Sequence, residues 1–383
     1  MAENYLTSGA ENALFRSTGG AGNEPTSSTA AALTNYGNIS QRTAAYAAKQ
    51  MLEHAQPILV LSKFGQSKPM PKNSSDTIAF RRPKPLGVQY AADGITPKSL
   101  VEGTPPTEQQ VKYEDVWVKL NQYGGLVKIT DVVQDLSEDP VLSDASMLCG
   151  EQAAETLEML TWGVIRGGSN VFWAGKLDSN GKPTKATSRG GVAGVVNLGQ
   201  IRAVTRQLKS ARGKPVTSMM GSSVNFGTEA VEGGYIAFCH TDCENDIREL
   251  PGFIHLADYG SRKPLAPEEI GSCENVRFLM SPLLLPFPDS GALISGDAAG
   301  MVSSGETTPK ADVYPIVIIA KHAFGLVPLK GAKAITPTVL NPGTPSKSDP
   351  LGQIGFVGWK SWFAATILNE TWMSRFEVTV TEL

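Results

Sequence analysis

The chain has 383 residues, which is enough for two or three domains with a sizeable hydrophobic core. Its 34 Lys and Arg nearly balance its 37 Asp and Glu, and the formal net charge of -3 argues against a dedicated nucleic-acid-binding protein. Its 4 Cys are too few for a disulfide framework, no apolar run approaches the roughly 20 residues of a membrane span, and the start lacks signal-peptide features, so we expect a cytosolic origin.

The N-terminal segment, residues 1–45, is rich in Gly, Ala, Ser, Thr and Asn. Such a composition offers too little apolar surface to offset the entropy of ordering the chain. We therefore predict an extended arm, which is either disordered in isolation or lies along a neighbouring subunit. Residues 46–61 follow with a short helical pattern that Pro57 stops.

Two strand-like runs, residues 65–88 and 107–125, flank a Pro-, Gly- and Thr-rich insert, which predicts a long β-hairpin. The alternation in the second run is imperfect and leaves no closed apolar face, so we expect the hairpin to pack mainly on a neighbouring subunit. The basic stretch FRRPKP could instead contact phosphate or guard a solvated strand edge. The candidate inter-subunit contacts are Arg81, Arg82, Lys84 and Trp117.

A long helix is predicted from the apolar spacing between residues 137 and 168, with Pro140 near its first turn and Gly167 at its end. A second helix is predicted over 198–210, with Asn197 as its N-cap. Short apolar strands then alternate with Gly/Pro loops from 217 to 327, which indicates a mixed α+β region.

The stretch from 349 to 380 holds half of the chain's 6 Trp. This is too much aromatic surface for a solvent-facing tail, so these residues should be mostly buried against the long helix. Trp362 is expected among the buried residues, and the chain should return to add strands to its first lobe.

The sharpest candidate for chemistry is CHTDC, which spans Cys239 to Cys243. A structural zinc needs four ligands, and Cys273 has no second ligand beside it, so we expect a strand end and a capping turn without metal. A Cys or Ser nucleophile would need one of the four histidines, none of which has a recognisable catalytic context. No phosphate-binding loop occurs either. We therefore expect no catalytic residue, no metal and no cofactor.

Eight segments carry a further signal when they are taken in chain order. They are TIAFRRPKPL, YGGLVKITDVV, the capped long helix, NLGQIRAVTRQL, YIAFCHTDCENDIREL, EEIGSCENVRFLMSP, HAFGLVPLKG and DPLGQIGFVGWKSWFAATILNETWMSRFEV. Together they resemble the major capsid protein family of tailed phages, and more narrowly that of podoviruses that package a virion RNA polymerase. The resemblance covers residues 75–380, and its last segment is the most specific part.

The resemblance implies the α+β Johnson fold, which tailed-phage and herpesvirus capsids share. It implies an N-terminal arm, an extended hairpin loop, a peripheral domain with a long spine helix, an axial domain and strands that return to the peripheral domain. The corresponding ranges are 1–64, 65–125, 126–195, 196–351 and 352–383.

The resemblance also implies self-assembly, as hexamers and pentamers, into the icosahedral shell around the double-stranded DNA of a tailed phage. Because residues 1–45 are neither long nor helical enough for a scaffolding segment, it implies a separate scaffolding protein. A portal, a decoration protein and non-specific contact with packaged DNA complete the expected partners, with no membrane among them. Two other classes stay open: a soluble hydrolase-like enzyme that uses residues 240–243, and a non-shell structural or binding component of the virion.

Overall fold

The structure, a computed structural model, describes residues 60–71, 75–84, 86–91, 94–100, 102–103, 105, 108–136, 141–178, 182–216, 233–259, 264–306, 308–329, 335–340, 342 and 349–382. The arm predicted over 1–45 lies outside these residues, as does nearly all of the helical pattern at 46–61. None of the described helices combines the length and apolarity needed to cross a membrane.

Strands make up most of the regular structure. They are β1 (Gln66–Ser67), β2 (Thr77–Pro83), β3 (Tyr113–Lys119), β4 (Asn121–Thr130), β5 (Val171–Leu177), β6 (Pro183–Lys185), β7 (Tyr235–Cys239), β8 (Phe253–His255), β9 (Glu269–Cys273), β10 (Val276–Met280), β11 (Tyr314–Ile319), β12 (Phe324–Pro328), β13 (Ile335–Leu340), β14 (Ile354–Ile367) and β15 (Met373–Val378). They form a two-stranded, a five-stranded and an eight-stranded sheet.

The α-helices are α1 (Asp131–Leu136), α2 (Val141–Ile165), α3 (Leu198–Ser210) and α4 (Glu244–Arg248). Helix α2 confirms the predicted long helix, and α3 has the predicted bounds, with the Asn197 side chain accepting a hydrogen bond from Gly199 N. Helix α1 was not predicted, because Asp131 reads as a strand end rather than as the start of a separate short helix.

The eight-stranded sheet has the order β6-β5-β15-β11-β7-β10-β9-β8. One face packs on α3, whose Ile201, Val204 and Leu208 are buried in the same cluster as Phe278 of β10. At its centre the fully buried Glu377 of β15 accepts hydrogen bonds from the Arg189 guanidinium and the Trp173 indole, and it also forms an ion pair with Arg375.

The long helix α2 bridges the two larger sheets. In its first half, Cys149 and Ala153 pack on Trp359 of the five-stranded sheet, in which β14 pairs with β4 on one side and with β12 and β13 on the other. In its second half, Trp162 and Ile165 pack in a cluster that includes the other face of the eight-stranded sheet. This helix therefore fixes the relative position of the two sheets.

The aromatic C-terminal stretch supplies β14 and β15, and its predicted burial is confirmed for three of its six aromatic side chains, while Phe356 and Trp372 are half-buried. Trp359, Phe363 and Phe376 are buried, the first two in clusters with residues of α2. The prediction for Trp362 is wrong, because this side chain is 37% exposed. It stands three residues after Trp359 on the same strand, and an odd separation places it on the opposite face of the sheet.

Strand pairing does not follow the expected domain ranges closely. Strands β12 and β13 lie within the range expected for the axial domain, yet both pair with β14. Strand β15, from the range expected to return to the peripheral domain, lies between β5 and β11. The return of β14 to pair with β4 is as predicted, while the division into domains stays a prediction.

Candidate subunit interface

The predicted hairpin is present as the antiparallel pair β2 and β3, with Phe80 opposite Val116 and Arg81 opposite Asp115. Its inner face carries Phe80 and Val118, which pack with Met70 and Val327 of the same chain. The root of the hairpin is thus fixed to its own subunit by a small apolar cluster, and only its other face and its far end are open.

The outer face of the hairpin is defined here as Ala79, Arg81, Tyr113, Asp115 and Trp117, which share one side of the two strands by alternation. Trp117 is 70% exposed, and Tyr113 is also largely exposed. Side chains of this size are seldom left in water without a partner, and patches of this kind mark interaction sites.

Arg81 is held in place on the outer face. Its Nε and Nη2 atoms each donate to one carboxylate oxygen of Asp115, both at 2.9 Å, and its guanidinium lies 5.7 Å from the centre of the Tyr113 ring. The hydrogen bonds from Arg81 lower the pKa of Asp115, so both partners are charged at neutral pH. A planar cation beside an exposed aromatic ring is thereby pre-oriented for contact with another surface.

Arg82, in contrast, points toward its own chain. It donates from Nη2 to Glu114 Oε2 at 2.8 Å, and its guanidinium lies 5.7 Å from the Trp372 ring. The hydrogen bond from Arg82 lowers the pKa of Glu114, with Lys84 as a further cause. Of the four candidate contacts, Arg81 and Trp117 share the outer face, Lys84 is exposed just beyond β2, and Arg82 lies on the inner face.

The far end of the hairpin is also apolar and exposed. Ile95 is 79% exposed and Leu100 is 75% exposed, while backbone hydrogen bonds such as that from Ala91 N to Thr96 O (2.8 Å) give the segment a fixed turn. Together with the outer face, this end forms a long surface that the rest of the described chain leaves exposed.

Sequence reasoning missed the acidic partners of the two arginines, Glu114 and Asp115. The signal was present, because YED and RRP oppose each other once the two runs are paired in antiparallel register. It could not be used without that register, which the long insert between the strands conceals.

The CHTDC segment forms a capping turn, as expected. Cys239 ends β7 and donates to Leu279 O, and the His240 ring accepts a hydrogen bond from Asp242 N at 3.2 Å. Burial raises the pKa of Cys239 and of Cys243, which keeps both as thiols. Within the described ranges, no group of three His, Cys, Asp or Glu side chains could hold a metal ion.

We compared the sequence and the fold with those of known proteins. No family model matches the sequence. A protein of Pseudomonas phage KPP21, described as a major capsid protein, is 20% identical over 270 residues, which cover 67% of this chain and 65% of that protein. The match thus spans just under two thirds of the length of that relative.

Three solved structures are similar in fold. The capsid of Ralstonia phage GP4 matches with a TM-score of 0.57 and 13% identity, covering 84% of this chain and 90% of that chain. The head of Helicobacter pylori bacteriophage KHP40 gives 0.55 and 11%, covering 85% and 91%. The capsid of cyanophage P-SCSP1u gives 0.53 and 13%, covering 85% and 90%.

The link to podoviruses that package an RNA polymerase stays a prediction. The broader resemblance is confirmed: this chain is similar to a phage major capsid protein in sequence, and it has the α+β Johnson fold of phage capsid proteins.

Proposed function

We propose that this chain is a major capsid protein, which self-assembles into the icosahedral shell around the double-stranded DNA of a tailed phage. The observation that carries the proposal is the combination of a phage capsid fold with a hairpin whose outer face and far end expose large aromatic and apolar side chains that the described part of the chain does not bury. Its location is then the virion capsid, after assembly in the host cytoplasm. The role is structural, and no catalytic step is assigned to any residue.

The outer face of the hairpin contains the residue types that are enriched at the centre of protein–protein interfaces. Tryptophan, tyrosine and arginine are the residues that most often dominate binding energy, and all three meet on this face as Trp117, Tyr113 and Arg81. The internal pairing of Arg81 with Asp115 lets the face be covered without leaving an uncompensated charge. A neighbouring copy of the chain is the partner that a shell supplies.

A shell needs only modest contacts between any two copies, because each copy is held by several neighbours at once. Copies of this one chain would form both the hexamers and the pentamers of the shell. A separate scaffolding protein, a portal and a decoration protein are the further partners we propose, together with non-specific contact with packaged DNA. In this arrangement residues 65–125 form the extended hairpin loop, and α2 is the spine helix of the peripheral domain.

Two substitutions test the interface. Trp117→Ser removes the largest exposed side chain of the hairpin, and Leu177→Ser removes an exposed apolar side chain of similar setting on β5, far along the chain from the hairpin. We expect Trp117→Ser to lower the yield of shells at least about tenfold in sedimentation analysis, with an unchanged circular dichroism spectrum. Leu177→Ser should assemble normally. Equal assembly of both variants and the unsubstituted protein would contradict the proposal.

A further inference from the structure

A carboxylate on the spine helix holds the segment that joins residues 1–59 to the rest of the chain. Glu158 of α2 is 1% exposed, and its Oε1 accepts hydrogen bonds from the backbone N–H groups of Val60 (2.9 Å) and Leu61 (2.6 Å). Leu61 to Lys63 form one turn of 3-10 helix, and no side chain of that segment caps it. Glu158 therefore acts as a cap supplied from another helix.

The same turn is held from a second direction. Lys63 Nζ lies 2.6 Å from Glu268 Oε1, just before β9 of the eight-stranded sheet. Val60 and Leu61 are fully buried in the cluster that also contains Trp162 of α2. We call Val60 to Lys63 the arm root, and it is tied both to the spine helix and to the sheet beneath it.

Packing alone does not explain a carboxylate at this place. A buried charge is costly, and apolar side chains of similar volume often stabilise a core as well or better. Burial raises the pKa of Glu158, against the opposing effect of the arm-root amides and Lys63. Its second oxygen, Oε2, is buried and has no hydrogen-bond partner among the described residues. Glu158 thus provides hydrogen-bond acceptors for the backbone N–H groups of the arm root, while burying its carboxylate has a free-energy cost.

We propose that Glu158 is a positioning residue for assembly, whose carboxylate fixes the arm root on the spine helix. The contribution to assembly rests on the proposed shell function, whereas the attachment of the arm root does not. Any shift of α2 along its axis would carry the arm root with it, because the two hydrogen bonds join backbone atoms of one segment to a side chain of the other.

The attachment is tested by hydrogen exchange on the unassembled full-length chain, followed in peptides that cover residues 60–63. Glu158→Gln keeps an acceptor oxygen, Glu158→Met keeps the volume but removes the acceptor, and Glu155→Ala is a control on the same helix. We expect Glu158→Met to speed exchange in these peptides about tenfold or more, and Glu158→Gln to retain most of the protection. Unchanged exchange in Glu158→Met, or equal loss in Glu158→Gln, would overturn the attachment.

Assembly of the same variants tests the positioning role. We expect Glu158→Met to give few or misformed shells under conditions in which Glu158→Gln and Glu155→Ala assemble normally. Normal shells from a Glu158→Met variant with fast exchange at the arm root would overturn the positioning role while leaving the attachment intact. If the unsubstituted chain forms no shells at all, the proposed function fails, and the exchange result still decides the attachment.

Discussion

The two tryptophans at positions 359 and 362 offer a matched test of how β14 is packed. Trp359 is 5% exposed, lies against α2, and its indole N–H donates to Gln152 Oε1 at 3.1 Å. Trp362 is 37% exposed on the opposite side of the same strand. Replacing each by Ala removes the same atoms from the same strand, so that the difference in unfolding free energy reports burial.

Removal of a buried aromatic side chain costs about 3–5 kcal/mol, and the Gln152 amide oxygen left without its donor adds about 1 kcal/mol. We therefore expect Trp359→Ala to lower the free energy of unfolding by about 4–6 kcal/mol. For Trp362→Ala the loss of buried area is of the order of 100 Å² and no closed cavity forms, which gives about 2.5 kcal/mol.

The measurement is urea unfolding of the unassembled chain, followed by far-ultraviolet circular dichroism so that loss of tryptophan fluorescence does not interfere. The expected difference between the two variants is at least about 1.5 kcal/mol. If Trp362→Ala is destabilised as much as Trp359→Ala, the assignment of the two faces of β14 is wrong. The placement of α2 on this sheet would then be wrong as well.

Four further results are expected. Arg81→Glu should impair shell assembly more than folding, because Arg81 lies on the outer face of the hairpin, and an equal loss of far-ultraviolet circular dichroism signal would contradict this. Glu377→Ala should cost about 3–5 kcal/mol in urea unfolding, because it leaves the buried Arg375 and the half-buried Arg189 without a counter-charge; a cost below about 1 kcal/mol would refute that role. Asn197→Ala should lower stability by about 1 kcal/mol through loss of the cap on α3, and an unchanged midpoint would argue against the cap. Elemental analysis should find no stoichiometric zinc, whereas one zinc per chain that is lost in Cys239→Ser would overturn the expectation.

Local features of the fold were predictable from the sequence because local chemistry fixes them. Asn197 caps α3 as its side chain predicts, and the Gly167 region ends the long helix near the expected residue. The two hairpin strands follow from extended, β-prone runs that flank a Pro/Gly-rich insert. Each of these depends on residues only a few positions apart in the chain.

Features that depend on distant parts of the chain were not predictable in the same way. Trp362 and Trp359 have the same composition around them, and only the position of α2 decides which of the two is buried. The contact between Arg82 and the Trp372 ring joins residues that are nearly three hundred positions apart in the chain. The cap that Glu158 supplies to Leu61 likewise joins two segments that no local pattern relates.

Electron microscopy of the purified chain, alone and with the proposed scaffolding protein, shows directly whether the chain forms shells. We expect closed shells or hexamer-sized rings, in which the outer face of the hairpin, with Trp117, is covered by a neighbouring subunit. Particles that stay monomeric under both conditions, or shells in which each hairpin lies wholly on its own subunit, would contradict this expectation.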